Sequence, residues 1–373
     1  MRPVLLRFLI AMLAIGLTAG CTKSPSIPID PTPRPGHENL GAIIDQVFAY
    51  DATESFRNRR AVLISVAGRI VLERYYHSSA MARHDIQSET ETIMSTLIGI
   101  ALDERKLRSV DDTLGELLPA YRGSMTPAVA KITLRQILTM TAGLPDDQTY
   151  YGQVLDHDTD WVRQALVDAA AQLPGSFLYS SAGSHLLSAI LVQATGRSVL
   201  DYAREKLFDP LGIKTRPAAQ PVARASSTEA YSRAGFAWLT DPQGRNLGAG
   251  GLMLTARDMV KLGHLWLAQG AWGGRQLVSR AWMMDAQQSH VATGQAPADG
   301  YGFQQWTTSA DGHFSFAAIG YGGQLTQIVP DKKLVVVVQS ATNPDPAAPP
   351  EPGVAGPNSY MAIVNLLLVP AMD

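Results

Sequence analysis

Cysteine is almost missing from this sequence. Cys21 is the only one among 373 residues, so no disulfide can form within the chain and no thiolate cluster can bind a metal. The zinc-binding pattern His-Glu-x-x-His is also absent, and the eight histidines are dispersed along the chain. The sequence therefore predicts neither a metal site nor a cofactor.

An excess of charge of one sign is also lacking. The formal net charge is -2 and the isoelectric point is near 6.4. A surface that binds nucleic acid needs clustered lysine and arginine to neutralise phosphates, so the composition argues against a nucleic-acid partner. The length suits one large domain or two small ones. No linker-like composition follows residue 40, which favours a single domain.

The start of the chain has an apolar run that is too short to cross a bilayer. It extends from Phe8 to Leu17 and follows the basic residues Arg2 and Arg7, a pattern typical of a bacterial export signal. The run ends in Leu-Thr-Ala-Gly-Cys at residues 17–21, which resembles a lipobox. We expect residues 1–20 to be a signal peptide and Cys21 to carry the lipid that anchors the protein. The alternative is that Cys21 is discarded with a cleaved signal peptide.

The next segment is rich in proline. Five prolines lie between Thr22 and Pro35, without apolar periodicity, which indicates an extended tether over residues 21–38. Together with Cys21, the tether predicts a protein held at the extracytoplasmic face of the cell membrane.

The remaining chain, residues 39–373, indicates an α+β fold. Residues 61–76 alternate around Ala67-Gly68 as in a β-hairpin. Helical periodicity follows at residues 93–107, 132–140, 161–173, 184–194 and 256–269, and strand character returns at residues 314–319, 325–329 and 333–338. This order predicts an antiparallel sheet built from both chain ends (about 39–85 and 300–373), flanked by helices, with a mostly helical insertion (about 86–299). Two separate domains are the alternative.

One short motif has an ordinary structural interpretation. Ser88-Glu89-Thr90-Glu91, leading into Ile93, has the pattern of a helix capping box, in which the Ser hydroxyl and the Glu carboxylate each satisfy a backbone N–H. The nucleophile pattern Gly-x-Ser-x-Gly does not occur. Triad members are adjacent in space rather than in sequence, so spacing leaves a histidine-based triad open.

Several long segments, in the same order, resemble the β-lactamase-related serine hydrolases. Residues 85–103 resemble their nucleophile region, residues 132–144 the helix and turn beneath the site, and residues 174–183 the segment with the motif Tyr-x-Asn. Residues 250–258 and 320–324 complete the pattern, and the similarity extends over residues 40–343. The family includes class C β-lactamases, penicillin-binding D,D-peptidases, esterases of the β-lactamase type and aminohexanoate-oligomer hydrolases. The resemblance implies the fold of serine β-lactamases and penicillin-binding proteins.

The resemblance also implies roles for individual residues. Ser88 takes the position of the nucleophile and Tyr179 that of a proton relay, while Ser181 stands where asparagine is common. Backbone N–H groups of Ser88 and of the strand near Gly320 and Tyr321 would hold an oxyanion. The expected ligand is a small acyl ester or amide, or a cell-wall peptide.

The chain departs from the family at two motifs. The family has a lysine three residues after the serine, where this chain has Glu91, and none of its eight lysines has a serine three residues before it. A carboxylate is a weak base for a hydroxyl, and its charge disfavours an oxyanion nearby. The basic residue of the family's third motif is also absent, because Ala318-Ile319-Gly320 fills that place.

Three functional interpretations remain at this point. The first is a membrane-anchored serine hydrolase that acts through Ser88, Tyr179 and Glu91 with reduced or altered activity. The second is an inactive homologue that binds a cell-wall peptide or a partner protein. The third, an unrelated structural lipoprotein, would make the distributed resemblance accidental.

Overall fold

The computed structural model describes residue 42 and residues 59–169, 175–224, 231, 233–310, 312–341, 361, 362 and 364–370. The signal-like segment, Cys21 and the proline-rich segment lie outside the described residues, so lipid attachment and the tether remain predictions. Among the described residues, no helix combines the length and apolar character that a membrane crossing requires.

The centre of the fold is an eight-stranded antiparallel sheet. In chain order the strands of the molecule are β1 (Arg59–Val66), β2 (Arg69–Tyr75), β3 (Arg83–Asp85), β4 (Met253–Thr255), β5 (Ala271–Trp272), β6 (Arg275–Gln276), β7 (Val291–Gln295), β8 (Ala298–Tyr301), β9 (Trp306–Ala310), β10 (His313–Gly320), β11 (Gln324–Val329) and β12 (Leu334–Ser340). The large sheet has the order β2-β1-β12-β11-β10-β9-β8-β7, while β3 pairs with β4 and β5 with β6. The sheet built from both chain ends is therefore confirmed.

Local sequence explains the first hairpin. Ala67 and Gly68 both have positive φ, 48° and 83°, as a two-residue turn between twisted strands requires. Both faces of β1 are buried: Leu63 packs on one side of the sheet, and Val62 and Ile64 pack on the other. A strand covered on both faces lies inside the fold.

The helices with described bounds are α1 (Glu89–Asp103), α2 (Leu114–Leu117), α3 (Leu134–Leu138), α4 (Asp147–Val154), α5 (Trp161–Asp168), α6 (Ser181–Thr195), α7 (Val199–Ala203), α8 (Ala256–Leu267) and α9 (Arg280–Ala286). Short 3₁₀ segments cover Pro119–Ser124 and Val129–Lys131, and π-helical turns cover Arg204–Phe208 and Val364–Leu368. The larger apolar core fills the space between these helices and one face of the sheet.

Strands β7 to β9 were not expected as strands; the sequence placed β7 and the start of β8 with the helices, and β9 within the predicted sheet region. Strand β7 is short and largely exposed at the edge of the sheet. It lacks the apolar alternation that marks a half-buried strand. The C-terminal part of the sheet therefore begins at Val291, before the predicted boundary at residue 300.

One buried glutamine joins the helices to the sheet beside the site. The Gln304 amide nitrogen donates to the Ile137 carbonyl at 3.0 Å, and the Ser184 hydroxyl donates to its amide oxygen at 2.6 Å. Its backbone carbonyl accepts from the Thr92 hydroxyl at 2.7 Å. These bonds tie α1, α3 and α6 to the loop before β9, which fixes the helices that carry the site.

Candidate active site

Ser88 lies in the turn that connects β3 to α1. Its backbone is helical, with φ -66° and ψ -5°, and its side chain makes no capping hydrogen bond. A serine that caps a helix has an extended backbone, so the predicted capping box with Glu91 is wrong. The preceding Gln87 takes up the change of direction with φ 51°. The Ser88 hydroxyl is thereby left free for a partner outside its own helix.

Tyr179 is held at the start of α6. The next residue, Ser180, caps this helix: its hydroxyl accepts from the Gly183 N–H at 3.2 Å and donates to the Pro145 carbonyl at 2.6 Å. The Tyr179 ring stacks on Trp306, with ring centroids 5.8 Å apart and an interplanar angle of 15°. A helix cap on one side and a strand residue on the other therefore fix the phenol.

Ser88, Tyr179 and Glu91 lie close together. The Tyr179 hydroxyl donates to Glu91 Oε2 at 2.8 Å. The Ser88 hydroxyl lies near enough to the same phenol to lower its pKa. Glu91 is 2% exposed, and its Oε1 has no hydrogen-bond partner within the described residues. The phenol thus lies between the serine and the carboxyl.

The site is acidic. Burial raises the pKa of Glu91 well above its usual range; the Tyr179 hydrogen bond opposes this rise and the charge of Asp147 adds to it. Burial, followed by the charge of Glu91, raises the pKa of Tyr179 well above its ordinary value. Among the described residues, the charged groups that act on Glu91 and Tyr179 include no lysine, arginine or histidine. The site therefore favours neutral or protonated groups.

The other predicted site residues are placed as follows. Ser181 begins α6, and its N–H donates to Asp147 Oδ1 at 2.8 Å, so it is engaged with a carboxyl. A Cβ atom added to Gly320 would lie 2.4 Å from the Ile86 carbonyl oxygen, which puts the end of β10 against the Ser88 turn. Tyr321, just beyond that strand, is 39% exposed.

The third-motif position carries no charge. Ala318 is 1% exposed, lies in the core on the helix side of the sheet and pairs with Thr326 across β10 and β11. The small apolar side chain leaves this part of the site without the cation that the family resemblance implies there.

Three residues near the site were not identified from the sequence. Asp147 acts electrostatically on both Glu91 and Tyr179. Tyr301 is fully buried, its hydroxyl has no partner within the described residues, and its ring meets Trp306 edge-on at 5.0 Å. The sequence gives Asp147 only a helix-start signal, and Tyr301 and Trp306 belong to the strands that it did not predict.

Comparison with known proteins decides the family. Residues 54–355 match the sequence model of the family described as Beta-lactamase. The chain belongs to the Beta-lactamase family. Over 87% of its length, this family member is 22% identical to the 6-aminohexanoate-dimer hydrolase of Paenarthrobacter ureafaciens, of which 81% is covered.

Solved structures show the same fold. A penicillin-binding protein homologue from Caulobacter crescentus superposes with a TM-score of 0.64 at 15% identity, covering 94% of this chain and 100% of that one. The octameric penicillin-binding protein homologue from Pyrococcus abyssi superposes with a TM-score of 0.63 at 19% identity, covering 89% and 76%. The predicted α+β fold and the membership of the Beta-lactamase family are confirmed.

Proposed function

We propose that this member of the Beta-lactamase family is a serine hydrolase that cleaves small acyl esters or amides by acyl transfer through Ser88, with activity reduced by Glu91. The hydrogen bond from the Tyr179 hydroxyl to Glu91, with the Ser88 hydroxyl near the same phenol, supports this proposal. This arrangement gives the serine proton a path to the buried Glu91 carboxylate, which is a stronger base because burial raises its pKa.

Acylation would proceed as follows. The Ser88 oxygen attacks the carbonyl carbon of the substrate while its proton passes to the Tyr179 oxygen. The phenolic proton passes in turn to Glu91 Oε2, so that the phenol is neutral before and after the step. The leaving group takes a proton back along the same path as the carbonyl re-forms. Water then attacks the acyl-serine with the same relay, which releases the acid and restores the hydroxyl.

The oxyanion would be held by backbone N–H groups. The Ser88 N–H has no backbone acceptor within the described residues and lies at the start of α1, where N–H groups favour negative charge. The end of β10 at Gly320 and Tyr321 would supply the second donor.

The same geometry explains why the activity would be low. In the ionised form that accepts the proton, Glu91 places a negative charge near the developing oxyanion, and burial disfavours that ionised form. Among the described residues, the groups that act on Glu91 include no cation. A lysine at this position would favour both the phenolate and the oxyanion. The acidic surroundings are also the observation that favours an inactive, ligand-binding homologue as the second candidate.

The charge of the site limits the substrate. A carboxylate on the acyl group would meet Glu91 and Asp147, and among the described residues the groups that act on Glu91 include no cation to compensate, so an uncharged or amine-bearing acyl group is favoured. The name of the relative, 6-aminohexanoate-dimer hydrolase, is consistent with an amine-bearing amide. We expect the p-nitrophenyl esters of hexanoate and of 6-aminohexanoate to be cleaved at least tenfold faster than the p-nitrophenyl mono-ester of adipate. Faster cleavage of the adipate ester would contradict this substrate class.

Covalent labelling tests the nucleophile. A serine-directed fluorophosphonate should modify the wild-type protein at Ser88, as located by mass spectrometry of the peptide. Ser88→Ala should abolish labelling, and Ser79→Ala, at an exposed serine in a loop, should not change it. If the folded wild-type protein stays unlabelled, the inactive homologue is the better description.

We also propose that the protein is anchored through lipid on Cys21 at the extracytoplasmic face of the cell membrane, because a signal-like apolar run ends in the lipobox-like sequence at residues 17–21. Stable anchoring would need more than one acyl chain, since a single chain binds a membrane only weakly. Cys21→Ala should move the protein from the membrane to the soluble fraction. An unchanged distribution and an unchanged N-terminal mass would refute the anchor.

A further inference from the structure

Asp85 is a buried aspartate that the proposed relay does not use. It directly precedes the turn that carries Ser88. Asp85 is the last residue of β3 and is 2% exposed. Its Oδ1 accepts from the Gln87 N–H at 2.6 Å, and its Oδ2 accepts from the Tyr231 hydroxyl at 2.7 Å. The Gly251 N–H also acts on this carboxyl and opposes the rise in its pKa that burial causes. One side chain thus joins three segments of the chain.

The Gln87 bond holds the turn in an uncommon conformation. Gln87 has φ 51°, in the left-handed region that non-glycine residues seldom adopt. It immediately precedes Ser88, so a change at Gln87 would turn the serine hydroxyl away from Tyr179. An aspartate that accepts from the N–H two residues later is the usual means of stabilising such a turn.

Packing around the turn offers little other polar support. A Cβ atom added to Gly320 would lie 3.0 Å from the Gln87 Cβ, and one added to Gly250 would lie 3.7 Å from the Gln87 carbonyl carbon. Both neighbours fit closely without forming a hydrogen bond through a side chain. The Asp85 carboxyl is therefore the side chain that holds the Gln87 N–H.

We propose that Asp85 is a positioning residue for the reaction, which acts through Gln87 to hold the Ser88 hydroxyl in line with Tyr179. Of the measurements that test this inference, only the rate of Ser88 labelling rests on the proposed function. The groups that face Asp85 are the Tyr231 phenol, the N–H groups of Gln87 and Gly251 and, at longer range, the Tyr151 phenol. What the turn needs from Asp85 is an acceptor oxygen, which an asparagine can also supply.

The test compares four variants. Asp85→Ala should slow fluorophosphonate labelling of Ser88 at least tenfold and raise amide hydrogen exchange in the peptide around Gln87 by a similar factor. Asp85→Asn can still accept from Gln87 and donate to Tyr231, so both rates should stay within threefold of wild type. Tyr231→Phe, which leaves the Gln87 bond intact, should also stay within threefold. Gln87→Gly in the Asp85→Ala background should recover part of the labelling, because glycine adopts positive φ without an anchor.

Two results would overturn the proposal. One is an Asp85→Ala protein that labels and exchanges like wild type; the other is an Asp85→Asn protein that is folded but as slow as Asp85→Ala. If Asp85→Ala does not fold, Asp85→Leu keeps the volume without an acceptor and takes its place. If wild-type Ser88 is not labelled at all, the proposed function fails, while hydrogen exchange still decides the role of Asp85.

Discussion

Replacing Glu91 by lysine is the sharpest test of the site. The Tyr179 hydroxyl lies 2.8 Å from Glu91 Oε2, so the ammonium of Glu91→Lys would lie beside the phenol that receives the serine proton. A unit charge about 7 Å from the oxyanion interacts with it by about 2 kcal/mol at an effective permittivity of about 20. Exchanging a repulsive for an attractive charge doubles this figure, and placing an ammonium in a buried site offsets part of it.

We therefore expect Glu91→Lys to raise p-nitrophenyl ester hydrolysis by about two orders of magnitude, the lower end of the 10²–10⁴ range for general-base assistance. Glu91→Gln keeps the shape but removes the proton acceptor, and should lower the wild-type rate. Ser88→Ala in the Glu91→Lys background must abolish the gain. The matched thermal stability of each variant is the control for folding.

A gain of less than about threefold for a folded Glu91→Lys protein would show that more than this residue limits the reaction. The opposite outcome is equally clear. If the wild-type protein turns over well and both Glu91 variants abolish turnover, Glu91 is an efficient base and the activity is not reduced.

Three further predictions follow from burial and packing. Burial raises the pKa of Asp85 to about 7, so this group binds more protons in the folded protein than in the unfolded chain; its contribution to stability should be complete below about pH 4 and be lost, by an amount on the order of a few kcal/mol, as the pH rises through 7, and in urea unfolding Asp85→Asn should flatten that slope. Tyr179→Phe should lower Ser88 labelling at least about 10²-fold with little loss of stability, and a rate within threefold of wild type would remove Tyr179 from the relay. Gly320→Ala should cost about 1–3 kcal/mol, because its Cβ would meet the Ile86 carbonyl oxygen at 2.4 Å; an unchanged melting temperature would contradict the close packing.

Much of the fold could be predicted because its signals are local. The hairpin around Ala67-Gly68 and the alternation of β1 depend on turn geometry and on a strand buried on both faces. Helix α8 lies within the predicted span 256–269 and follows the capping Thr255, whose hydroxyl accepts from the Asp258 N–H at 3.1 Å. Such features are encoded within a few residues and survive in any context.

The site was less predictable because its contacts are long-range. The capping box at Ser88 was expected from four residues alone, but Glu91 bonds instead to Tyr179, which lies far along the chain. No role was predicted for the Asp85 side chain, because its partner Tyr231 lies far along the chain. Where a polar side chain is directed depends on which distant segment covers it, and that information is not in the local pattern.

The placement of β1 has a consequence for how the protein folds. Strand β1 pairs with β2 on one edge and with β12 on the other, and β12 comes from the far end of the domain. Closing so long a loop is slow compared with forming the helices between, so joining the two chain ends should limit the folding rate. Until β12 arrives, an apolar strand edge stays open to other chains. A chain cut before Leu334 should therefore aggregate even though every residue of the Ser88 site is present.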